Sequence, residues 1–365
     1  MGHEPFDVLI VGGGVAGAAA CIAFAREAAP LRNIWVATAS TPADRVGETL
    51  SAGGVAVLEE LGLSEIAHSP LHREANAFFS AWGSERLVER NAFASLDGAG
   101  LVLNRSEFEN QLCAHALNSP IEHRSTTVMS AQREDGFWTV VLEDGSQLQS
   151  RFVLDCTGRA AVVARNFAQR KQLDQLAAAH AILPQVDESV EPTAATMTEA
   201  ARDGWWYASL LPDGRLVVTY FSDPDLMPKN LSRDVDVWQD LISQSVYIQR
   251  WIEDAGFEVS TPPSLASAAT SWVTPVAGEG WAAAGDAAAS FDPLSSHGLT
   301  TALRAASRVA PAIVGALADQ PAALMDYVAR VEGGVADFLA QRRAAYAREH
   351  RFSVREFWRR RQEGD

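Results

Sequence analysis

The feature that most constrains this chain is a glycine pattern near residue 12. Gly12, Gly14 and Gly17 stand between the apolar run Phe6–Val11 (FDVLIV) and the Ala-rich run Val15–Ala28. The first run is short and of strand type; the second has the composition of a helix. Strand, glycine turn and helix form the context in which GxGxxG binds a dinucleotide. The first glycine makes a tight turn, the second lets the backbone approach a pyrophosphate, and the third lets helix and strand pack closely. Free N–H groups at the helix start then face the phosphates. Asn33–Thr38 supplies the next strand and closes a βαβ unit. The acidic residue that would accept from the adenosine ribose is absent after this strand, where the chain reads Ala37, Thr38, Ala39, Ser40.

Composition narrows the class. A chain of 365 residues exceeds the roughly 100–200 of one ordinary domain, so a large fold or a domain with an insertion is expected. Its net charge of −16 opposes binding along a nucleic-acid backbone, which needs clustered cations to displace counterions. Cys21, Cys113 and Cys156 are too few and too scattered for a disulfide framework, and no Cys/His spacing suits a metal. No metal and a reducing cytoplasm are therefore expected. The most apolar stretch, Val8–Ala25, is interrupted by Gly12–Gly14 and preceded by Glu4 and Asp7. That disfavours a signal peptide or a membrane span.

Further motifs follow in order. Arg45-Val-Gly-Glu48-Thr-Leu50 comes after the βαβ start, Asn104-Arg105-Ser-Glu-Phe-Glu109 opens a helical stretch, and Arg151-Phe-Val-Leu-Asp155-Cys-Thr-Gly158-Arg159 ends a strand. Gly285-Asp286 then precedes Phe291-Asp292-Pro293-Leu-Ser-Ser-His297-Gly298-Leu299. Over nearly its whole length the chain resembles the FAD-containing aromatic hydroxylases and the related flavin-dependent halogenases. The resemblance implies an α/β fold of the GR2 flavin-hydroxylase type. Its Rossmann-like FAD-binding domain would carry an inserted β-sheet substrate domain and C-terminal helices. It also implies that Asp286 meets the flavin ribityl chain, and that Pro293 and Gly298 lead into a helix whose dipole faces the flavin. A reduced flavin is anionic near N1, which a helix N-terminus stabilises. Ala302–Leu317 supplies such a helix. Gly204–Asp223, the Arg45–Leu50 loop and the tail from Tyr346 to Arg361 are most similar to flavoproteins that mature protein-derived tryptophylquinone cofactors.

The resemblance implies that reduced FAD adds dioxygen to give a flavin hydroperoxide, with electrons from NAD(P)H or a separate flavin reductase. Tryptophan-type halogenases then use a lysine beyond a motif like Gly47-Glu48, together with a Trp-x-Trp-x-Ile-Pro stretch. The only lysines here are Lys171 and Lys229, and the counterpart stretch reads Trp205-Trp206-Tyr207-Ala-Ser-Leu-Leu-Pro212. Direct hydroxylation of an electron-rich aromatic ring, including a tryptophan in a peptide or partner protein, is therefore expected. A halogenase, a flavin reductase or saturase, and a flavin-binding chaperone are the alternatives.

Candidate residues follow. Gly12, Gly14, Gly17, Arg45, Arg105, Asp286, Pro293 and Gly298 are expected at the cofactor. Trp205, Trp206 and Tyr207 are the candidate substrate wall, although alternation along a strand sends at least one of them to the opposite face. A hairpin with Leu216–Ser222 follows from the intervening Pro212-Asp213-Gly214 turn. His297 and Glu48 are the candidates for proton transfer. Asp155 reads as a structural acceptor. The eight arginines after Gln341 read as a helix packed across an acidic body, with docking of an acidic protein segment as the alternative. The expected FAD-binding domain is 1–78, 101–169 and 272–328; the substrate domain is 79–100 and 170–271; 329–365 closes one side. Asp187–Thr198 is expected as a mobile loop over the pocket.

Overall fold

A computed structural model describes residues 4–27, 29–38, 47–91 and 99–363. The glycine-bearing strand Phe6–Val11 lies mid-sheet. In parallel array, the strands run Trp281–Ala283, Gln147–Asp155, Phe6–Val11, Asn33–Ala37, Glu122–Ser125. A hairpin, Val128–Glu134 and Phe137–Leu142, extends this sheet antiparallel from Gln147–Asp155. Alternation along the central strand divides the core. Val8 and Ile10 face one apolar cluster, Leu9 and Val11 the other, while Phe6 at the strand's start departs from the alternation and joins the second.

The helices are α1 (Val15–Arg26), α2 (Ala52–Glu60), α3 (Ser64–Ala67), α4 (Arg105–Leu117), α5 (Val235–Ile242), α6 (Tyr247–Asp254), α7 (Gly298–Leu317), α8 (Ala322–Ala347) and α9 (Glu356–Gln362). Every residue of α1 from Val15 to Phe24 is buried, between the parallel sheet and helices α4 and α7. Its alanines make that possible, because small side chains let neighbouring helices approach on more than one side. No helix among the described residues is long and apolar enough to cross a membrane.

The second large sheet runs Ser264–Ser267, Ala177–Leu183, Leu216–Ser222, Gly204–Leu210, Ala195–Ala201, Ala77–Ala81, Val88–Asn91. Its hairpin sets Trp205 opposite Phe221 and Trp206 opposite Tyr220. One face buries Trp206 with Trp238 and Trp251. The other buries Trp205 and Phe221 with Tyr346, Phe357 and Trp358. All five expected domain boundaries fall inside elements, among them 100/101 within Gly100–Val102, 169/170 within Gln169–Gln172 and 271/272 within Ser271–Thr274. The division at 328/329 falls inside α8, which holds no proline and runs unbroken through Gly333-Gly334. The division at 78/79 falls inside the strand Ala77–Ala81, which is hydrogen-bonded to Ala195–Ala201.

The tail is bound by charge as well as by rings. Arg355 pairs with Asp203, Arg360 with Asp223 and Asp225, and buried Arg361 grips Asp223 at 2.6 and 3.1 Å. The Arg361 guanidinium also lies 3.7 Å from the Phe357 ring centroid. Trp358 is fully buried and meets the rings of Trp82, Phe352 and Phe357. Burial opposes charge on Glu349, but donors from Arg351 and Gly83 outweigh it and hold the carboxyl below its ordinary value.

Trp358→Ala is expected to cost about 3–5 kcal/mol of unfolding free energy, read from denaturant midpoints. Because the Glu349 carboxyl is depressed in the folded state, its contribution is complete above the ordinary glutamate value of 4.5 and is lost as pH falls from there. Glu349→Gln should flatten stability against pH in that acidic window.

Candidate cofactor and substrate site

Both glycine-led helices begin at one cavity of about 380 Å³. At its first wall, Gly12 has φ +116°, and a Cβ there would fall 2.3 Å from Cys156 O. A Cβ on Gly17 would fall 1.9 Å from Gly12 O. That same carbonyl accepts from Trp35 Nε1 at 2.9 Å, so the turn is fixed from two sides. Gly14 caps α1 with no side-chain hydrogen bond, and Gly14, Val15 and Ala16 line the cavity. The first N–H groups of α1 are therefore left for a ligand.

The opposite wall is the start of α7. Asp292 accepts from Leu294 N at 3.0 Å and fixes the short turn Pro293–Ser295. Pro293, Gly298 and Leu299 line the cavity, and His297, the N-cap residue, makes no side-chain capping bond. The helix begins at Gly298, one turn before the expected Ala302, after left-handed Ser296 (φ +52°) closes the Pro293–Ser295 turn. Two positive helix ends thus face one space, each equivalent to roughly half an elementary charge.

Side chains complete the site. Arg105 donates to Gly47 O at 2.6 Å and to Glu109 Oε1 at 2.7 Å, which anchors the loop bearing Glu48 to α4. Glu48 is 2% exposed. Its Oε2 accepts from Gly47 N at 3.0 Å, while buried Oε1 has no hydrogen bond of ordinary geometry, and the Tyr207 hydroxyl stands within reach of the carboxylate. Tyr207 Oη lies 2.9 Å from Thr49 Oγ1. Burial drives the Tyr207 phenol well above its ordinary range, and the Glu48 charge adds to the shift. Asp286 lies on the wall with Arg159 Nε 3.7 Å away. Desolvation at the cavity wall raises its carboxyl, with Arg159 and Arg105 opposing, although its side chain stays 42% exposed. Trp205 stacks on Phe221 with centroids 4.1 Å apart, and its Nε1 donates to Tyr346 Oη at 3.1 Å. Tyr346 donates in turn to Asp292 Oδ2 at 2.8 Å, which also accepts from Arg342 Nε at 3.1 Å.

The structure thus brings Gly14, Glu48, Arg105, Asp286, Pro293, Gly298, Trp205 and Tyr207 around one cavity, with Gly12 and Gly17 beneath its floor. Others lie elsewhere. Trp206 was expected at the substrate wall, but strand alternation sends it to the far face, against Trp238 and Tyr220. His297 is exposed and off the cavity lining. Arg45 lies outside the described residues. Asp155 accepts from Thr157, Val163 and Ala164, as a structural acceptor does. Val190–Thr193, from the expected lid, line a separate depression with Tyr247 and Trp251, and Ala195–Thr198 is strand. Sequence reasoning missed Phe221 and Thr219 on the wall. Pairing Leu216–Ser222 with Gly204–Leu210 in register would have found both.

The cradle fits a dinucleotide: its two helix starts lack side-chain caps, and its glycine turn admits no side chain. Gly14, Val15 and Ala16 would hold its phosphates, and Asp286 with the start of α7 the remainder. A Cβ on Gly14 meets nothing in the protein. Gly14→Ala is therefore expected to fold at wild-type stability yet hold FAD more weakly, whereas Gly17→Ala should lose stability as well. Thermal melts of apoprotein and flavin-fluorescence titrations separate the two.

Comparison with known proteins agrees with this geometry. The tryptophan halogenase family model matches residues 89–365. The protein named Putative FAD-dependent oxidoreductase LodB, from Marinomonas mediterranea, is 26% identical over 98% of this chain and 97% of its own. Among solved structures, the peptidyl tryptophan dihydroxylase QhpG, essential for tryptophylquinone cofactor biogenesis, superposes with TM-score 0.79 and 23% identity, over 98% of this chain and 79% of its own. The flavin-dependent halogenase CmlS superposes with TM-score 0.84 and 20% identity, over 99% of this chain and 68% of its own. With a match covering most of its length and a dinucleotide cradle of the matching kind, the chain belongs to the tryptophan halogenase family and is a flavin-dependent oxidoreductase whose cofactor is FAD.

Proposed function

We propose that this enzyme is a monooxygenase that hydroxylates an electron-rich aromatic ring, the indole of a tryptophan held in a peptide or partner protein. One observation carries the reading. A buried carboxylate, Glu48, shares a wall with Trp205, Tyr207 and Phe221; the Tyr207 phenol stands beside it, and its Oε1 has no hydrogen bond of ordinary geometry. A buried acceptor short of donors is costly unless a ligand donor meets it. Indole has one N–H and a flat apolar face, so it satisfies both features.

Reduced FAD supplies the activated dioxygen, and NAD(P)H or a partner reductase supplies the electrons. The chain's own residues bind and orient. Phe221, stacked on buried Trp205, and Tyr207 give the wall its aromatic character. Glu48 accepts the indole N–H and holds the proton as the ring becomes electron-deficient. Tyr207, tethered to Thr49, stays neutral and fixes the wall. Val15, Leu299 and Ala302 keep the space apolar.

Halogenation of the same ring is the second reading, favoured by the family match and by the likeness to CmlS. Against it, neither lysine of the chain stands on the cavity wall. The dihydroxylase QhpG acts on peptidyl tryptophan and supports the first reading.

The test is mass spectrometry of a tryptophan peptide after turnover with FAD, a reductant, isotopically labelled dioxygen and added bromide or chloride. Incorporation of labelled oxygen is expected; halogen in the product would sink the reading. Glu48→Gln should retain bound FAD but lower kcat by about 10²–10⁴-fold, the usual contribution of a positioned proton acceptor.

A further inference from the structure

The second sheet ends in a strand that has no outer neighbour. Ser264–Ser267 pairs with Ala177–Leu183 on one side and, among the described residues, with no strand on the other. Exposed sheet edges are ordinarily blunted by charge, proline or a bulge, because unpaired N–H and C=O groups recruit another chain. This edge is Ser-Leu-Ala-Ser, and all four residues are exposed, with Leu265 at 52%. A groove of about 590 Å³ runs beside it, with Leu176, Met227 and Leu231 forming its apolar wall together with Leu265. Ala266 and Ser267 line this groove and also line the cavity that holds Glu48 and Trp205. A methyl and a hydroxymethyl are all that these two residues set between the two spaces.

Charge on the groove's rim departs from that of the whole chain. Lys171 adjoins the lining residue Gln172, and Lys229 stands between lining residues Pro228 and Asn230. These are the only lysines in a chain of net charge −16. Both are exposed, as is Arg233 next to lining residue Ser232. None of the three makes an ion pair among the described residues. Of the carboxylates nearby, Asp174 is engaged by Arg342, and Asp223 and Asp225 by Arg360 and Arg361; exposed Asp234, which accepts from Asp236 N, offsets its neighbour Arg233 and leaves the two lysines as the rim's cations. An acidic partner meets repulsion over most of this protein and attraction here.

We propose that the polypeptide substrate docks at this edge as an added extended strand of acidic sequence, with its tryptophan passing Ala266 and Ser267 into the cavity. Main-chain hydrogen bonds to Ser264–Ser267 hold the segment, Leu265 and its apolar neighbours take alternate side chains, and the rim cations select its charge. The inference rests on the proposed action on peptidyl tryptophan and adds where such a peptide binds and what flanks its tryptophan.

The experiment is fluorescence anisotropy of the FAD-loaded enzyme, without reductant, against a labelled synthetic peptide in which Asp and Glu flank one tryptophan. Three further probes are a counterpart with Lys and Arg flanks, a version N-methylated at alternate backbone nitrogens, and a Trp→Ala version. The acidic peptide should bind at least about tenfold more tightly than the basic one. N-methylation should weaken it, as should Lys171→Glu with Lys229→Glu, whereas Arg308→Glu at an exposed position of α7 should not. No binding of the acidic peptide, or binding indifferent to N-methylation and to the paired lysine reversal, overturns the proposal. Oxygen incorporation into the same peptide is read separately. Docking without oxygenation counts against the proposed reaction alone; oxygenation that ignores the groove variants counts against the docking site alone.

Discussion

Asp292 is the charge on which the arrangement turns. A carboxylate 1% exposed is tolerated only where donors replace its lost water. Leu294 N, Tyr346 Oη and Arg342 Nε supply them. Each donor belongs to a different requirement of the fold. Leu294 belongs to the turn that aims α7 at the cavity, Arg342 ties α8 to Asp174, and Tyr346 reaches on to Trp205. One buried ion therefore couples a helix start, a C-terminal helix and an aromatic wall. Loss of any donor would leave the others bonded to a poorly solvated charge.

What the sequence made legible was local. The Gly12 turn, the Asp155 acceptor and the Trp205 hairpin depend on residues close in the chain, and their chemistry can be read from short windows. What escaped depends on distance. Nothing near Trp205 announces Tyr346, 141 residues away, or tells which strand face looks into the cavity. Trp206 was misplaced for that reason, since two adjacent tryptophans are equivalent until the sheet is assigned a side. His297 has the right chemistry and a motif position, yet it ends up on the solvent side of the helix it caps.

The fold alone does not choose between transferring oxygen and transferring halogen, because structures that superpose on this one carry both chemistries in their names. The choice falls to a few lining side chains. A buried acceptor carboxylate, aromatic side chains and no wall lysine form one coherent set. The Tyr207 phenol beside that carboxylate stays neutral because burial and the neighbouring charge act in the same direction.

The tail has a consequence for the order in which the molecule is made. Trp205 and Phe221 leave the ribosome well before Tyr346, Trp358 and Arg361, the groups that cover their face of the sheet. Until then a broad aromatic surface is bare on a nascent chain whose sheets close by long-range pairing, the kind of intermediate that aggregates. The cavity's lining ends at Ala302, so the whole wall that would meet the flavin is synthesised before the tail that backs it.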